Sequence, residues 1–129
     1  MIRTNHVALA LAAVAMSCVV TAAQGNADAK AMKNPVASTA ESIAAGQQLY
    51  LRNCASCHGR NGQGGPGNDL IPAAPSLLGD KWDHGSTDGE IFTNIRNGVA
   101  PDFNMVPFKD KLKDDEIWTV VTFIRSLRK

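Results

Sequence analysis

The chain has few groups with which to build an enzyme by itself. Its 129 residues, enough for one domain, hold three cysteines and three histidines. A zinc site needs about four nitrogen or sulfur ligands, and beyond Cys54, Cys57 and His58 the chain offers only Cys18, His6 and His84. No serine–histidine–acid triad, paired carboxylates, internal repeat or βαβ pattern is present. Charge of one sign is also missing: 13 basic residues stand against 12 acidic ones. Loss of an N-terminal leader carrying Arg3 would make the two equal, which argues against nucleic acid or an anionic membrane surface as a partner. Aromatic residues number seven, from Tyr50 to Phe123, few for an independent core.

What is there centres on Cys54-Ala55-Ser56-Cys57-His58. The pattern C-x-x-C-H reads as covalent haem attachment. Cysteines three apart on a helical turn are neighbours, so both sulfurs can form thioethers to the vinyl groups on one haem edge. His58 then offers an imidazole nitrogen to the iron. A thioredoxin-like redox pair would need a preceding strand in a βαβ unit, and half a zinc site would lack its other half. A buried haem would also supply the apolar surface that the scarce aromatics do not.

The N-terminus reads as a secretory signal over 1–23. Arg3 and His6 form a short polar region, Val7 to Met16 is an unbroken apolar run, and Thr21-Ala22-Ala23 offers small residues for cleavage. The run is shorter than the roughly 20 apolar residues that span a bilayer; an uncleaved anchor and lipidation at Cys18 are the weaker alternatives. Export suits the motif, since haem is attached to c-type proteins outside the bacterial cytoplasm. Residues 24–39 are small and polar with Pro35 and no aromatic, and read as a flexible leader before a domain over 40–129.

Ser38 with Glu41 fits a capping box, so a first helix should run to about Asn53. Gly46 and Tyr50 share one face of it, and a glycine there suits close approach of another helix. The glycine-rich loop Gly59 to Asn68 is not a phosphate cradle, because it follows no strand and lacks the Lys-Ser/Thr ending. Pro75 keeps a carbonyl acceptor though it has no donor, and a ligating histidine usually gives its second ring N–H to such an oxygen. The Pro75 carbonyl is therefore the expected acceptor for His58 Nδ1–H, with Leu77 packed on the ring. Trp82 is either a haem-propionate donor or a core residue. Thr87 and Glu90 form a second capping box before a helix Asp88 to Asn97, which Gly98 ends.

The stretch from Val99 to Phe108 places Met105 in a loop braced by Pro101 and Pro107. A thioether is a neutral, soft ligand, and His/Met ligation raises a haem's reduction potential. Met105 is the expected sixth ligand and His84 the competitor; the plain alternative is a core methionine. The last helix should run from Asp114 to Leu127, with acids at its start and bases at its end in accord with the dipole. Its apolar stripe is Ile117, Val120, Val121, Ile124 and Leu127. Phe123 borders that stripe and would press onto Gly46 and Tyr50.

With these residues in hand, the chain from about Ser42 to Leu127 resembles a class I c-type cytochrome. The carriers are Gly46 and Tyr50, Cys54 to Gly59, Pro75-Ser76-Leu77, Ile95 to Gly98, Met105 to Phe108, and Phe123. Two features depart from the family's pattern: Val106 separates Met105 from Pro107, and Lys113 precedes the last helix where serine or threonine is usual, with Asp114 the expected substitute cap. The resemblance implies an all-α cytochrome c fold of about four helices. The N- and C-terminal helices cross, and one covalent haem c sits between His58 and Met105. It implies a periplasmic single-electron carrier, not an enzyme, monomeric and without stable membrane insertion after cleavage. A dehydrogenase, quinoprotein ones included, would be the donor, and a terminal oxidase or another cytochrome the acceptor. The alternative is a haem enzyme or gas sensor with an open sixth position.

Overall fold

The computed structural model describes residues 27–65 and 72–128, and among these the regular structure is helical with no strand. The leader expected over 1–23, Cys18 included, lies outside the described residues. Four helices follow in order: α1 (Ala40–Asn53), α2 (Ala55–His58), α3 (Asp88–Asn97) and α4 (Asp114–Ser126). A helical turn over 27–31 precedes them. None of the described helices is long and apolar enough to cross a membrane.

Helices α1 and α4 cross at Gly46. A Cβ built there would fall 2.8 Å from the Phe123 Cβ and run into the Thr119 carbonyl. The absent side chain lets the two backbones touch, which offsets the roughly 1 kcal/mol a helical glycine costs against alanine. One turn on, Tyr50 is fully buried, its ring 5.1 Å from that of Phe123. Ile117, Val120 and Val121 of α4 are equally hidden. Each such side chain contributes about 1.5–3 kcal/mol by leaving water, so this crossing is the scaffold on which the rest is hung.

The helix starts show which caps operate. Thr39, not Ser38, is the N-cap of α1: its hydroxyl accepts from the Ser42 N–H at 3.1 Å, and Ser42 Oγ accepts from the Thr39 N–H at 2.9 Å. Glu41 is left exposed, so the box is shifted by one residue from the expected one. At α3 the Thr87–Glu90 box forms as read. At α4, Glu116 Oε2 accepts the Lys113 N–H at 2.9 Å, while Asp114 pairs with Arg96 Nε at 2.9 Å and is not the cap. A Glu at the third helical position reaches back to the cap amide whatever the cap residue is.

Residues 27–39 are docked, not free. Asn34 Nδ2 donates to the Trp118 carbonyl at 3.2 Å and to Thr122 Oγ1 at 3.0 Å, both on α4. Ala29 is buried, and Val36 packs on the core. A Cβ at Gly89 would meet Met32 Cβ at 2.6 Å as well as the Ala29 carbonyl. The strap is held by backbone lying on a glycine and by one amide. That is why its composition, small and without aromatics, read as a tether.

Candidate functional site

The C-terminus of α1 and the single turn of α2 meet at Cys54, which caps both. Its N–H donates to the Tyr50 carbonyl at 2.8 Å, and its carbonyl accepts from the His58 N–H at 2.9 Å. The two sulfurs and the imidazole are thus carried on about one turn of backbone. Cys54 is buried and Cys57 half-buried, and neither is in a disulfide. Burial, and then the neighbouring Cys57, pushes the free Cys54 thiol up to about 12. A reactive C-x-x-C thiol is instead lowered into or below the neutral range, so the redox-pair alternative finds no activated cysteine in Cys54.

His58 is aimed by a second layer. Its Nδ1 lies 3.3 Å from the Pro75 carbonyl oxygen. Burial lowers its pKa and the Pro75 carbonyl opposes that, the net shift being downward. The ring is therefore neutral at pH 7, the form that binds a metal. Pro75 is brought there by the glycine-rich loop. Leu77 N–H donates to the Gly62 carbonyl at 2.7 Å, Gly65 N–H to the Ala74 carbonyl at 3.0 Å, and Gly64 N–H to the His58 carbonyl at 2.8 Å. Gly64 lies so close that a Cβ would sit 2.6 Å from the Ser76 nitrogen. Tyr50 adds a strut, its hydroxyl donating to the Gly59 carbonyl at 2.8 Å. Burial holds its phenol well above the usual range, so it remains a donor.

Opposite ends of one loop set Met105. Phe103 N–H donates to the Val99 carbonyl at 3.0 Å, and Val99 N–H to the Met105 carbonyl at 2.9 Å. Gly98, with φ +72°, ends α3 and lets that carbonyl pass: a Cβ there would meet the Met105 oxygen at 2.7 Å and the Pro107 nitrogen at 2.9 Å. Downstream, Phe108 N–H donates to the Ile95 carbonyl at 3.0 Å and Lys109 N–H to the Arg96 carbonyl at 3.1 Å, which moors the loop to α3.

Cys54, Cys57, His58, Pro75, Leu77, Trp82 and Met105 all line one cavity of about 520 Å³, within the roughly 300–1,000 Å³ span of cofactor sites. His84 lines it too. Ile91 and Ile95 from α3, Ile124 from α4 and Phe108 give it apolar walls. Sequence reading put Ile91, Ile95 and Ile124 on helix faces, where 3–4 spacing is the available signal, and Phe108 in the methionine loop, without assigning any of them an individual role in the site. Among the described residues no three His, Cys, Asp or Glu side chains group as a metal site. The donor set fits haem: two thiols on one turn, a neutral imidazole and a thioether around an apolar slot. Trp82 Nε1 is buried with no hydrogen-bond acceptor among the described residues. A buried donor needs a partner, and a haem carboxylate would be an acceptor of the kind it lacks.

This fold and this site define a class I c-type cytochrome, with haem c bound covalently through Cys54 and Cys57. Residues 41–124 match the family described as cytochrome c oxidase, cbb3-type, subunit III, and the chain belongs to that family. It is 34% identical over 98 residues to the cbb3-type cytochrome c oxidase subunit CcoP of Azospirillum brasilense, a match covering 67% of this chain and 31% of that protein. It is 35% identical over 114 residues to the subunit FixP of Bradyrhizobium diazoefficiens, covering 82% of this chain and 37% of that one. The chain therefore spans about a third of the length of these relatives. Among solved structures, the Kuenenia stuttgartiensis reducing HAO-like protein complex Kustc0457/Kustc0458 shares the fold. Its TM-score is 0.61 at 21% identity, over 76% of this chain and 50% of that chain.

Proposed function

We propose that this electron-transfer domain is a periplasmic single-electron carrier whose iron is held by His58 and Met105. The observation that carries the reading is one cavity lined at once by Cys54, Cys57, His58 and Met105. Haem bound there supplies a one-electron ferric/ferrous couple. Cys54 and Cys57 fix its edge. His58 keeps its Nδ1 proton on the Pro75 carbonyl, so Nε2 presents a lone pair to the metal. Met105 offers a neutral sulfur that favours the lower iron charge. Leu77, Ile91, Ile95 and Phe108 keep water out, and with both ligands retained little rearrangement accompanies transfer. No side chain is asked to act as acid, base or nucleophile.

Relatives that are oxidase subunits support an oxidase as the acceptor; the donor is proposed to be a periplasmic dehydrogenase. The carrier acts as a monomer after removal of residues 1–23. A pyridine haemochrome spectrum of exported protein tests the cofactor. The charge-transfer band of methionine sulfur on ferric haem tests Met105. The band is expected in the native protein and absent from Met105→Ala, which gains carbon monoxide binding in the ferrous state. Ready carbon monoxide binding by the native protein would place it with enzymes and sensors that keep the sixth position open.

A further inference from the structure

The strap over 27–39 is attached to two helices. Asn34 spends its whole amide there: Nδ2 donates to the Trp118 carbonyl and to Thr122 Oγ1 on α4, and Oδ1 accepts the Val36 N–H at 2.9 Å. Five residues earlier, Ala29 is buried and lies with Met32 against the bare backbone of Gly89, in the first turn of α3. Lys30 Nζ comes within 3.9 Å of Glu90 Oε1 in the same turn. Trp118 itself stacks on Phe92 of α3, with ring centres 4.1 Å apart. The strap is thus a clasp closed over the seam between α3 and α4.

The far end of α3 carries the methionine loop. Gly98 lets the Met105 carbonyl pass, and the Ile95 and Arg96 carbonyls accept from the Phe108 and Lys109 N–H groups. Ten residues of helix join the two ends, about 15 Å at the usual rise, and a helix this short shifts as one piece. It also has room to shift. Glu90, Thr93 and Asn94 border a hollow of about 360 Å³, which they share with Ala29, Val99 and Ala100. Close packing is what holds a helix in place, so a helix with a hollow beside it depends on its other ties.

We propose that Asn34 is a positioning residue for the sixth ligand: it closes the clasp that sets α3, and α3 sets Met105. The proposal rests on the His58/Met105 reading above, and it separates the two ligands. His58 takes its aim from the Pro75 carbonyl and not from α3. Undoing the clasp therefore lets an added ligand replace Met105 more easily and leaves His58 as it was.

The test titrates ferric holoprotein with imidazole, which must displace the Met105 sulfur, and follows loss of the methionine–iron band. Asn34→Ala is expected to bind imidazole about fivefold more tightly than the native chain, the effect of one lost hydrogen-bonded anchor. The control is Ile43→Ala, which removes core packing from α1, a helix that does not pack on α3. It should lose stability in denaturant unfolding and keep the native imidazole affinity. Should Asn34→Ala not take up haem, Gly89→Ala, whose Cβ displaces the Ala29 carbonyl, is read in the same way. An unchanged affinity in the clasp variant overturns the proposal. So does an equal gain in Ile43→Ala, because the cause is then a general loosening. A native protein that lacks the band ends the Met105 reading itself, and this proposal with it.

Discussion

The two walls of the cavity are built differently. The histidine wall, over 54–65 and 74–77, is stitched by backbone hydrogen bonds that join Gly62 to Leu77 and Gly65 to Ala74, with Tyr50 propping Gly59. The methionine wall is one loop, moored at its two ends, with Phe103 45% and Val106 47% exposed between them. Both walls are tied by backbone hydrogen bonds, but the histidine wall binds one loop to another, whereas the methionine wall binds its loop to itself and to the end of α3. Imidazole direction is therefore set by a carbonyl of a second loop, whereas Met105 is placed by its own loop and by α3.

Breaking what both walls share should cost most. Gly46→Val drives a branched side chain into α4 and is expected to lose about 4 kcal/mol of stability by denaturant unfolding, at the upper end of overpacking effects. On the histidine wall, Gly64→Val forces the loop off Ser76 and should cost about 3 kcal/mol. Haem absorbance should show the histidine side loosened. On the methionine wall, Gly98→Ala meets Met105 and Pro107 and should cost about 2 kcal/mol. Its distinguishing effect is loss of the methionine–iron band with haem retained. If Gly64→Val abolished that band and Gly98→Ala spared it, the contrast between the walls would be reversed.

Two smaller effects sharpen the picture. Glu90 is nearly buried, and burial alone would raise its pKa. The Thr87 N–H and hydroxyl, the Ser86 N–H and Lys30 outweigh this and hold the carboxylate below its usual 4.5. A group ionised more easily when folded stabilises the protein above pH 4.5 and loses that contribution as pH falls through its folded value. Glu90→Gln should therefore cost about 1 kcal/mol at pH 7. The cost should shrink as pH drops below 4.5, a slope that thermal melts across pH 2–7 would reveal. Val106→Ser, on the exposed wall, should change stability by less than about 0.5 kcal/mol and show itself only in slower electron exchange with a partner.

The long helices were legible because amphipathic spacing and terminal charge are local signals. α1, α3 and α4 lie where Gly46 to Tyr50, the span Asp88 to Asn97 and Ile117 to Ile124 indicated. The cavity was legible for a different reason: C-x-x-C-H, a proline carbonyl and a lone methionine in a proline-braced loop each carry their own chemistry. Features that depend on what two distant segments do together were hidden. Thr39 displaced Ser38 as the cap because Ser42, not Glu41, answered it. Residues 27–39 looked unattached because their anchors are the bare backbone at Gly89 and the Asn34 amide. Arg128 read as one more cation for the dipole, and only its contact with Trp82 sets it apart.

The hollow between Cys54 and Met105 has a consequence for how the molecule comes into being. Its walls include Tyr50, Leu77, Ile91, Ile95, Phe108 and Ile124, all members of the hydrophobic core. Without haem, these apolar side chains would lack the partner they line up to meet, and unfilled apolar space is costly. Haem attachment should therefore complete the core, and limited proteolysis should cut the haem-free chain faster than the holoprotein.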